Sequence, residues 1–197
     1  MQRRAGLASI LVMLSTLLIS PVQADSLQIW DKLSGTAPKG YVLLLRHSYA
    51  PGVGDPENFR LGDCSTQRNL SDEGRQDARE LGQWLQRRNI AIYRIESSRW
   101  CRARETAELL DLGKVRANKN LDSLFQEPEI ENHPKTLRAR KQIIEHRSKR
   151  GLLVMVGHFA NFGALTGIGV DSGEGVLVRS SKSGELKVFG STPDFGR

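Results

Sequence analysis

Short apolar runs separated by polar segments predict buried strands along the chain. The residues Tyr-Val-Leu-Leu-Leu form one such run at 41–45, and similar runs lie at 90–95 and 152–156. Runs of this length, bounded by polar residues or glycine, are typical of strands in a parallel sheet. Two further apolar stretches, at 176–178 and 186–189, flank Lys-Ser-Gly and predict a closing hairpin.

Apolar residues at helical spacing lie between these runs. Ser71 is a suitable N-cap for a helix in which Ala78, Leu81 and Leu85 recur at helical spacing, as far as about Arg88. Further helices are predicted over 102–110, from Pro134 onward with Leu137, Ile143 and Ile144 facing inward, and over 159–166. Strands alternating with helices predict an α/β fold, a three-layer sandwich with a mostly parallel central sheet flanked by helices.

Composition is that of a globular chain of one domain. Its 197 residues are 39% hydrophobic and 26% charged, and no repeat or linker divides them. A formal net charge of +7 favours anionic ligands, which include phosphate esters, nucleic acid and anionic lipid. The basic run at 138–150 lies on the outward face of a predicted amphipathic helix, where charge is usually solvated, so we expect no nucleic acid partner.

The first 24 residues have the pattern of a secretory signal peptide. Arg3 and Arg4 give a positive start, 7–19 is an apolar run, and small residues precede a predicted cleavage between Ala24 and Asp25. An uncleaved anchor is the alternative, although the run is shorter than a comfortable membrane span. We therefore expect a single domain over 25–197, periplasmic or secreted, with no stable membrane insertion after cleavage.

Export bears on the two cysteines, Cys64 and Cys101, because disulfides persist in oxidising compartments. A disulfide between them is the favoured interpretation. Two free buried thiols and a nucleophilic cysteine are the alternatives.

Polar side chains directly follow three of the predicted strands. Arg46 and His47 follow the first strand, the segment from Ser97 to Arg102 follows the second, and His158 follows another. The carboxyl ends of parallel strands share one edge of the sheet, where α/β proteins bind ligands. Arginines suit the oxygens of a phosphate, and a neutral imidazole can attack its phosphorus, so the pattern favours phosphoryl transfer.

A metal site is the competing interpretation of the histidines. The four, His47, His133, His146 and His158, show no His-x3-His spacing, and no Cys-x2-Cys pair joins them. We expect neither a metal nor another cofactor.

Four motifs resemble those of the histidine phosphatase superfamily, the phosphoglycerate mutase-like group, in order and spacing. They are Leu-Leu-Arg-His at 44–47, Leu-Ser-Asp-Glu-Gly-Arg-Gln-Asp-Ala at 70–78, Ser-Ser-x3-Arg-Ala-x2-Thr-Ala at 97–107, and Val-Gly-His at 156–158. The resemblance covers about residues 40–167. Within the group the chain resembles small exported bacterial members, including relatives of lipopolysaccharide core heptose phosphatases.

The resemblance implies roles for individual residues. His47 would be the phosphorylated nucleophile, with His158 as the second histidine of the phosphate pocket. Arg46 and Arg102 would bind phosphate, and Arg102 is preferred to Arg99 because it aligns with the arginine before Ala-x2-Thr-Ala. Apart from the resemblance, the loop-forming residues of the segment 51–69 lead us to expect that it covers the pocket; they are Gly52, Gly54, Asp55-Pro56 and Gly62. Asn69, at its end, is a further candidate for substrate binding.

Two departures from the family pattern concern the catalytic groups. Ser48 stands where the family usually has glycine, and Phe159 stands where the acid phosphatase and phytase branch has its acidic residue. In the mutase-like branch the general acid is a glutamate between the second helix and the next core strand. Glu127 is our candidate, with Glu129 and Glu174 as alternatives.

Together these features predict an exported, metal-independent phosphomonoesterase that forms a phosphohistidine intermediate. Its partner would be a phosphorylated small molecule, such as a sugar phosphate of the cell envelope. A catalytically silent anion-binding relative, a mutase and a phosphoprotein phosphatase are the alternatives. The sequence does not indicate an oligomeric state.

Overall fold

The computed structural model describes residues 28–193. The predicted signal peptide at 1–24 lies outside the described residues. A helical segment at 28–33 precedes the first strand. Six strands follow in chain order: β1 Tyr41–Arg46, β2 Ile92–Ser97, β3 Val115–Ala117, β4 Leu152–Gly157, β5 Gly175–Ser180 and β6 Leu186–Ser191. The four helices between them are α1 Asp72–Arg87, α2 Cys101–Leu109, α3 Pro134–His146 and α4 Phe159–Thr166.

The six strands form one sheet in the order β3-β2-β4-β1-β5-β6. The pairs within β3-β2-β4-β1 are parallel, and the hairpin of β5 and β6 joins β1 in antiparallel fashion. The predicted mostly parallel sheet and the closing hairpin are therefore confirmed.

The second strand begins and ends later than its apolar run predicts. It extends to Ser97, because Glu96 and Ser97 continue the parallel ladder against β4 and β3. Both side chains are buried although they are polar. The three-residue strand β3 is too short to leave a pattern in the sequence.

Two hydrophobic clusters lie on opposite faces of the sheet. Leu43 and Leu45 of β1 belong to the cluster under α1 and α2, whereas Val42 and Leu44 belong to the cluster under α3 and α4. Side chains alternate between the two faces of a strand, so this division places helices on both sides of the sheet. The three-layer α/β sandwich is confirmed.

The ends of α1 agree with its predicted boundaries, but the inward face of α3 does not. Ser71 caps α1 by accepting a hydrogen bond from the Gly74 amide. In α3, Leu137 was predicted to face inward, yet it is 50% exposed. The buried positions of that helix repeat at spacings of three and four residues and exclude Leu137; they are Thr136, Ala139, Ile143 and His146.

Across residues 28–193, none of the helices has both the length and the apolar character that a membrane span requires.

Candidate active site

The carboxyl ends of three neighbouring strands bring the predicted site residues together. Strand β4 lies between β1 and β2, so the residues that follow these strands are adjacent. His47 follows β1, Ser98 follows β2 and His158 follows β4. The ring centroids of the two histidines lie 5.3 Å apart.

His47 is buried and has its two ring nitrogens in different environments. Nδ1 lies 2.8 Å from the carbonyl oxygen of Ser48, while Nε2 lies 3.1 Å from Nε of Arg102. Arginine can only donate, so Nε2 carries the lone pair and Nδ1–H donates to the carbonyl. Burial, together with the positive charge of the surrounding arginines, lowers the pKa of His47 to about 3. The imidazole is therefore neutral at physiological pH, as nucleophilic attack requires.

His158 is buried opposite this ring. Its Nε2 lies 2.9 Å from Oγ of Ser98, and the ring meets the edge of Trp100 at a centroid distance of 5.7 Å. Burial, followed by the positive charge of the neighbouring arginines, lowers the pKa of His158 well below its ordinary value. Both histidines of the site are thus held neutral.

Arg102 reaches the site from the first turn of α2. Its Nε donates to His47, and its terminal nitrogens donate to the two carboxylate oxygens of Asp55 at 2.7 and 3.2 Å. Arg99 instead pairs with Asp122 and does not line the pocket. The structure therefore places Arg102, the arginine favoured by the family motif, beside His47.

Two further arginines surround the same space. Arg46 donates from Nη1 to the carbonyl of Val170 at 3.0 Å, and its buried Nε has no hydrogen-bond partner among residues 28–193. Arg68 donates to the carbonyls of Gly54 and Ala50. Burial and the charge of Arg102 lower the pKa of both guanidinium groups. The site thus concentrates positive charge that a bound anion would neutralise.

These groups line a cavity of about 320 Å³. The predicted residues Arg46, His47, Arg102 and His158 all line it. The segment 51–69, predicted to cover the pocket, contributes residues 52–55 and Arg68 to the lining.

Asp55 and Arg68 also line the pocket, and neither is predicted from the sequence. Asp55 accepts hydrogen bonds from Arg102, from Nε1 of Trp100 and from the backbone of Arg68. Burial alone would raise its pKa, but the hydrogen bonds and charge of Arg102 outweigh burial and lower it. The Asp55-Pro56 pair marked a turn in the sequence, and nothing local indicated that its carboxylate reaches a residue 47 positions away.

The structure corrects the expectation for Asn69. Its amide donates to the backbone carbonyls of Cys64 and Gln67 at 2.7 and 3.0 Å, so it stabilises the covering segment and does not line the pocket.

None of the three candidate general acids lines the pocket. Glu127 and Glu129 are exposed, because the loop after β3 turns its glutamates outward and presents Ser123 and Phe125 to the cavity. Glu174 accepts a hydrogen bond from the backbone of Asp171. Asp55 is the one carboxylate among the described residues of the lining.

The predicted disulfide is confirmed. Cys64 and Cys101 are bonded, with their Cα atoms 5.7 Å apart. The bond joins the covering segment to the first turn of α2, next to Arg102. The amide of Cys101 also donates to the Gln67 side chain at 2.9 Å, which reinforces that attachment.

Ser48 takes part in the site through its backbone. Its carbonyl accepts a hydrogen bond from His47, and its amide donates to Oγ1 of Thr106 at 3.0 Å.

Within residues 28–193, no three histidine, cysteine or acidic side chains are grouped so that they could hold a metal.

Paired neutral histidines among three arginines, at the carboxyl edge of a parallel sheet, define a site for phosphoryl transfer. Residues 42–142 match the family model of the histidine phosphatase superfamily (branch 1). The chain belongs to that superfamily, and the predicted enzyme class, a histidine-dependent phosphatase, is confirmed.

Solved structures share the fold at low sequence identity. The protein histidine phosphatase SixA, complexed with tungstate, is 15% identical with a TM-score of 0.56, over 77% of this chain and 96% of SixA. A mycobacterial glucosyl-3-phosphoglycerate phosphatase is 18% identical with a TM-score of 0.53, over 75% of this chain and 96% of its own. Phosphoserine phosphatase from Entamoeba histolytica, in complex with 3-phosphoglyceric acid, is 13% identical with a TM-score of 0.56, over 79% of this chain and 98% of that enzyme. No curated protein matches the chain in sequence.

Proposed function

We propose that this protein is a metal-independent phosphomonoesterase that acts through a phosphohistidine at His47. One observation carries the proposal: the lone pair on Nε2 of a buried, neutral His47 lies in a cavity lined by Arg46, Arg68 and Arg102.

The reaction follows from these positions. The three arginines bind the oxygens of the phosphate, and the unpartnered Nε of Arg46 gains an acceptor. Nε2 of His47 gives up the hydrogen bond from Arg102 and attacks phosphorus with its lone pair, so a P–N bond forms while the P–O bond to the leaving group breaks and the leaving oxygen takes a proton from water. His158 stabilises an equatorial oxygen as charge redistributes. Water then attacks phosphorus and loses a proton to solvent, the P–N bond breaks, inorganic phosphate leaves, and Nε2 regains its electron pair.

Export and substrate form the second part of the proposal. The pattern at 1–24 supports export to the periplasm or to the outside of the cell, and the Cys64–Cys101 disulfide suits an oxidising compartment. In that compartment, sugar phosphates of the cell envelope are the substrates that suit the resemblance to exported heptose-phosphate phosphatases. Two of the similar structures are a glucosyl-3-phosphoglycerate phosphatase and a phosphoserine phosphatase, and such enzymes for phosphorylated small molecules support this substrate class.

A silent phosphate-binding relative is the second candidate. The observation that favours it is the ion pair between Asp55 and Arg102, because it leaves the lining carboxylate ionised and unable to donate a proton.

Hydrolysis of an aryl phosphate by the purified protein, with and without chelator, tests the proposal. We expect turnover that survives chelation, is abolished in His47→Ala and persists in the control His133→Ala, since His133 lies outside the pocket. Loss of turnover on chelation would refute metal independence. A folded protein that binds tungstate without turnover would favour the silent relative.

Export is tested separately, by cell fractionation and by the mass of the mature N-terminus. Recovery of an uncleaved chain from the cytosol would refute that part of the proposal.

A further inference from the structure

The cavity beside His47 has a cationic floor, formed by Arg46, Arg68 and Arg102, and it also has an apolar rim. Val53, Phe125 and Phe159 all line the cavity, and they are 85%, 49% and 52% exposed. They come from three separate parts of the chain: the covering segment, the loop after β3, and the first residue of α4. Large apolar side chains scattered singly over a surface are ordinary, but three gathered at one catalytic pocket indicate a ligand contact.

Phe159 contacts the phosphate-binding floor directly, and Phe125 contacts it through Gly54, whose carbonyl accepts a hydrogen bond from Arg68. The guanidinium carbon of Arg46 lies 5.3 Å from the centroid of the Phe159 ring. The ring of Phe125 packs over Gly54, where an added Cβ would lie 3.8 Å from Cε1 of the ring. A group attached to a phosphate on the floor would therefore meet these rings.

The charges of the lining limit what that group can be. All three lining arginines belong to the phosphate floor, and Arg102 is already paired with Asp55. The Asp55 carboxylate would repel a second anionic group. The rim itself offers Ser123 as a polar side chain and otherwise apolar surface.

The volume of the cavity limits the size of the group attached to the phosphate. Small-molecule sites span about 300–1,000 Å³, and this cavity, at about 320 Å³, lies at the lower end. It suits a phosphate with one attached ring.

From these observations we infer that Val53, Phe125 and Phe159 form a subsite for the leaving group. The subsite takes an uncharged ring attached to the phosphate and disfavours leaving groups that carry a carboxylate. This inference rests on the proposed function for the position of the phosphate. An aromatic ring and the apolar face of a sugar ring share the chemistry that the rim recognises.

Binding, rather than turnover, tests the subsite, so that a failure of catalysis does not affect the result. Calorimetry with the wild-type protein would compare phenylphosphonate, methylphosphonate and phosphonoacetate, which share the phosphonate group and differ in the attached group. We expect phenylphosphonate to bind about twofold to tenfold more tightly than methylphosphonate, as one aromatic contact allows, and phosphonoacetate to bind most weakly. Equal affinity for the phenyl and methyl compounds would overturn the proposal.

Variants then locate the preference. Phe125→Ala should lose the phenyl preference while retaining methylphosphonate affinity, and Phe159→Ala should lose the same preference. Phe189→Ala is the matched control, because Phe189 is 40% exposed on β6, where it packs on Tyr41. Preference retained in both rim variants, or lost equally in the control, would refute the assignment.

A further binding experiment distinguishes a sugar ring from an aromatic ring. In the His47→Ala background, glucose 1-phosphate and glycerol 3-phosphate would be compared with the phosphonates. A ring preference that includes glucose 1-phosphate indicates a sugar ring as the natural leaving group, and one confined to phenylphosphonate indicates an aromatic one. No preference for any ring would contradict the subsite.

Discussion

Arg102 donates from Nε to Nε2 of His47 at 3.1 Å, so a cation of the second helix contacts the nitrogen that would attack phosphorus. The same guanidinium is fixed by Asp55 on its other side. Its planar set of donors can therefore contact the histidine, the carboxylate and an incoming phosphate in one plane.

Replacing Arg102 with lysine should greatly reduce catalysis although the positive charge is retained. Lysine lacks the planar donors, so one fixed contact to the transition state is lost, and we expect kcat/KM to fall about 10²–10³-fold. Steady-state kinetics on an aryl phosphate measures the change. Arg99→Lys is the matched control, since Arg99 pairs with Asp122 outside the pocket. Activity of Arg102→Lys close to wild type would contradict a role for Arg102 in the transition state.

Asp55 is predicted to act as a positioning residue for Arg102. In Asp55→Asn the guanidinium loses its ionic partner and becomes freer to bind phosphate, so we expect both KM and kcat to decrease. Inhibition by inorganic phosphate should become tighter for the same reason. These values would be measured with an aryl phosphate and an alkyl phosphate.

General acid catalysis is the alternative role of Asp55, and the choice of leaving group distinguishes it from positioning. A general acid matters most for a poor leaving group, so loss of a proton donor would abolish alkyl phosphate turnover and spare the aryl phosphate. Equal decreases in kcat for both substrates would support positioning alone.

The strand ends of the site could be predicted from sequence, because buried runs and the parallel-sheet rule are enough to bring His47, His158 and the Arg102 segment to one edge. These contacts follow from the topology, which depends on local patterns along the chain. The family motif then separates Arg102 from Arg99, which local pattern alone does not.

The covering segment could not be predicted in the same way. Its irregular backbone is held by contacts between distant residues, such as Arg68 to the carbonyl of Gly54 and Asp55 to Arg102. Neither contact leaves a periodic pattern. The outward position of Glu127 has the same origin, since a turn with left-handed backbone at Gln126 and Glu129 decides which side chains of the loop face the cavity.

Breaking the disulfide should weaken phosphate binding as well as stability. The bond closes a loop with a sequence separation of 37, and the chain-entropy relation for a loop of that length gives about 4 kcal/mol of stabilisation. Because Cys101 precedes Arg102, we also expect a higher KM in the Cys64→Ser, Cys101→Ser double variant. Urea unfolding and kinetics at a temperature where the variant remains folded measure the two effects.

Reduction of the wild-type protein provides the control for these substitutions. Unchanged kinetics in a folded, reduced protein would show that the bond stabilises the fold without affecting the site.

Acid should destabilise the fold through His47. Its pKa is lowered from 6.5 to about 3 by burial, so the unfolded chain binds the proton first and stability falls as the pH decreases from about 6.5 towards 3. At about pH 4.5, some two units below the unfolded pKa, this one group should lower the free energy of unfolding by about 3 kcal/mol.

The variant His47→Gln removes this titrating group, so urea unfolding should show a smaller loss of stability between about pH 7 and 4.5 than in the wild type. The buried His158 is lowered in the same direction and leaves part of the dependence in place. An equal pH dependence in the wild type and His47→Gln, or an imidazole resonance of His47 that titrates near pH 6.5, would show that the ring is not held neutral by the fold.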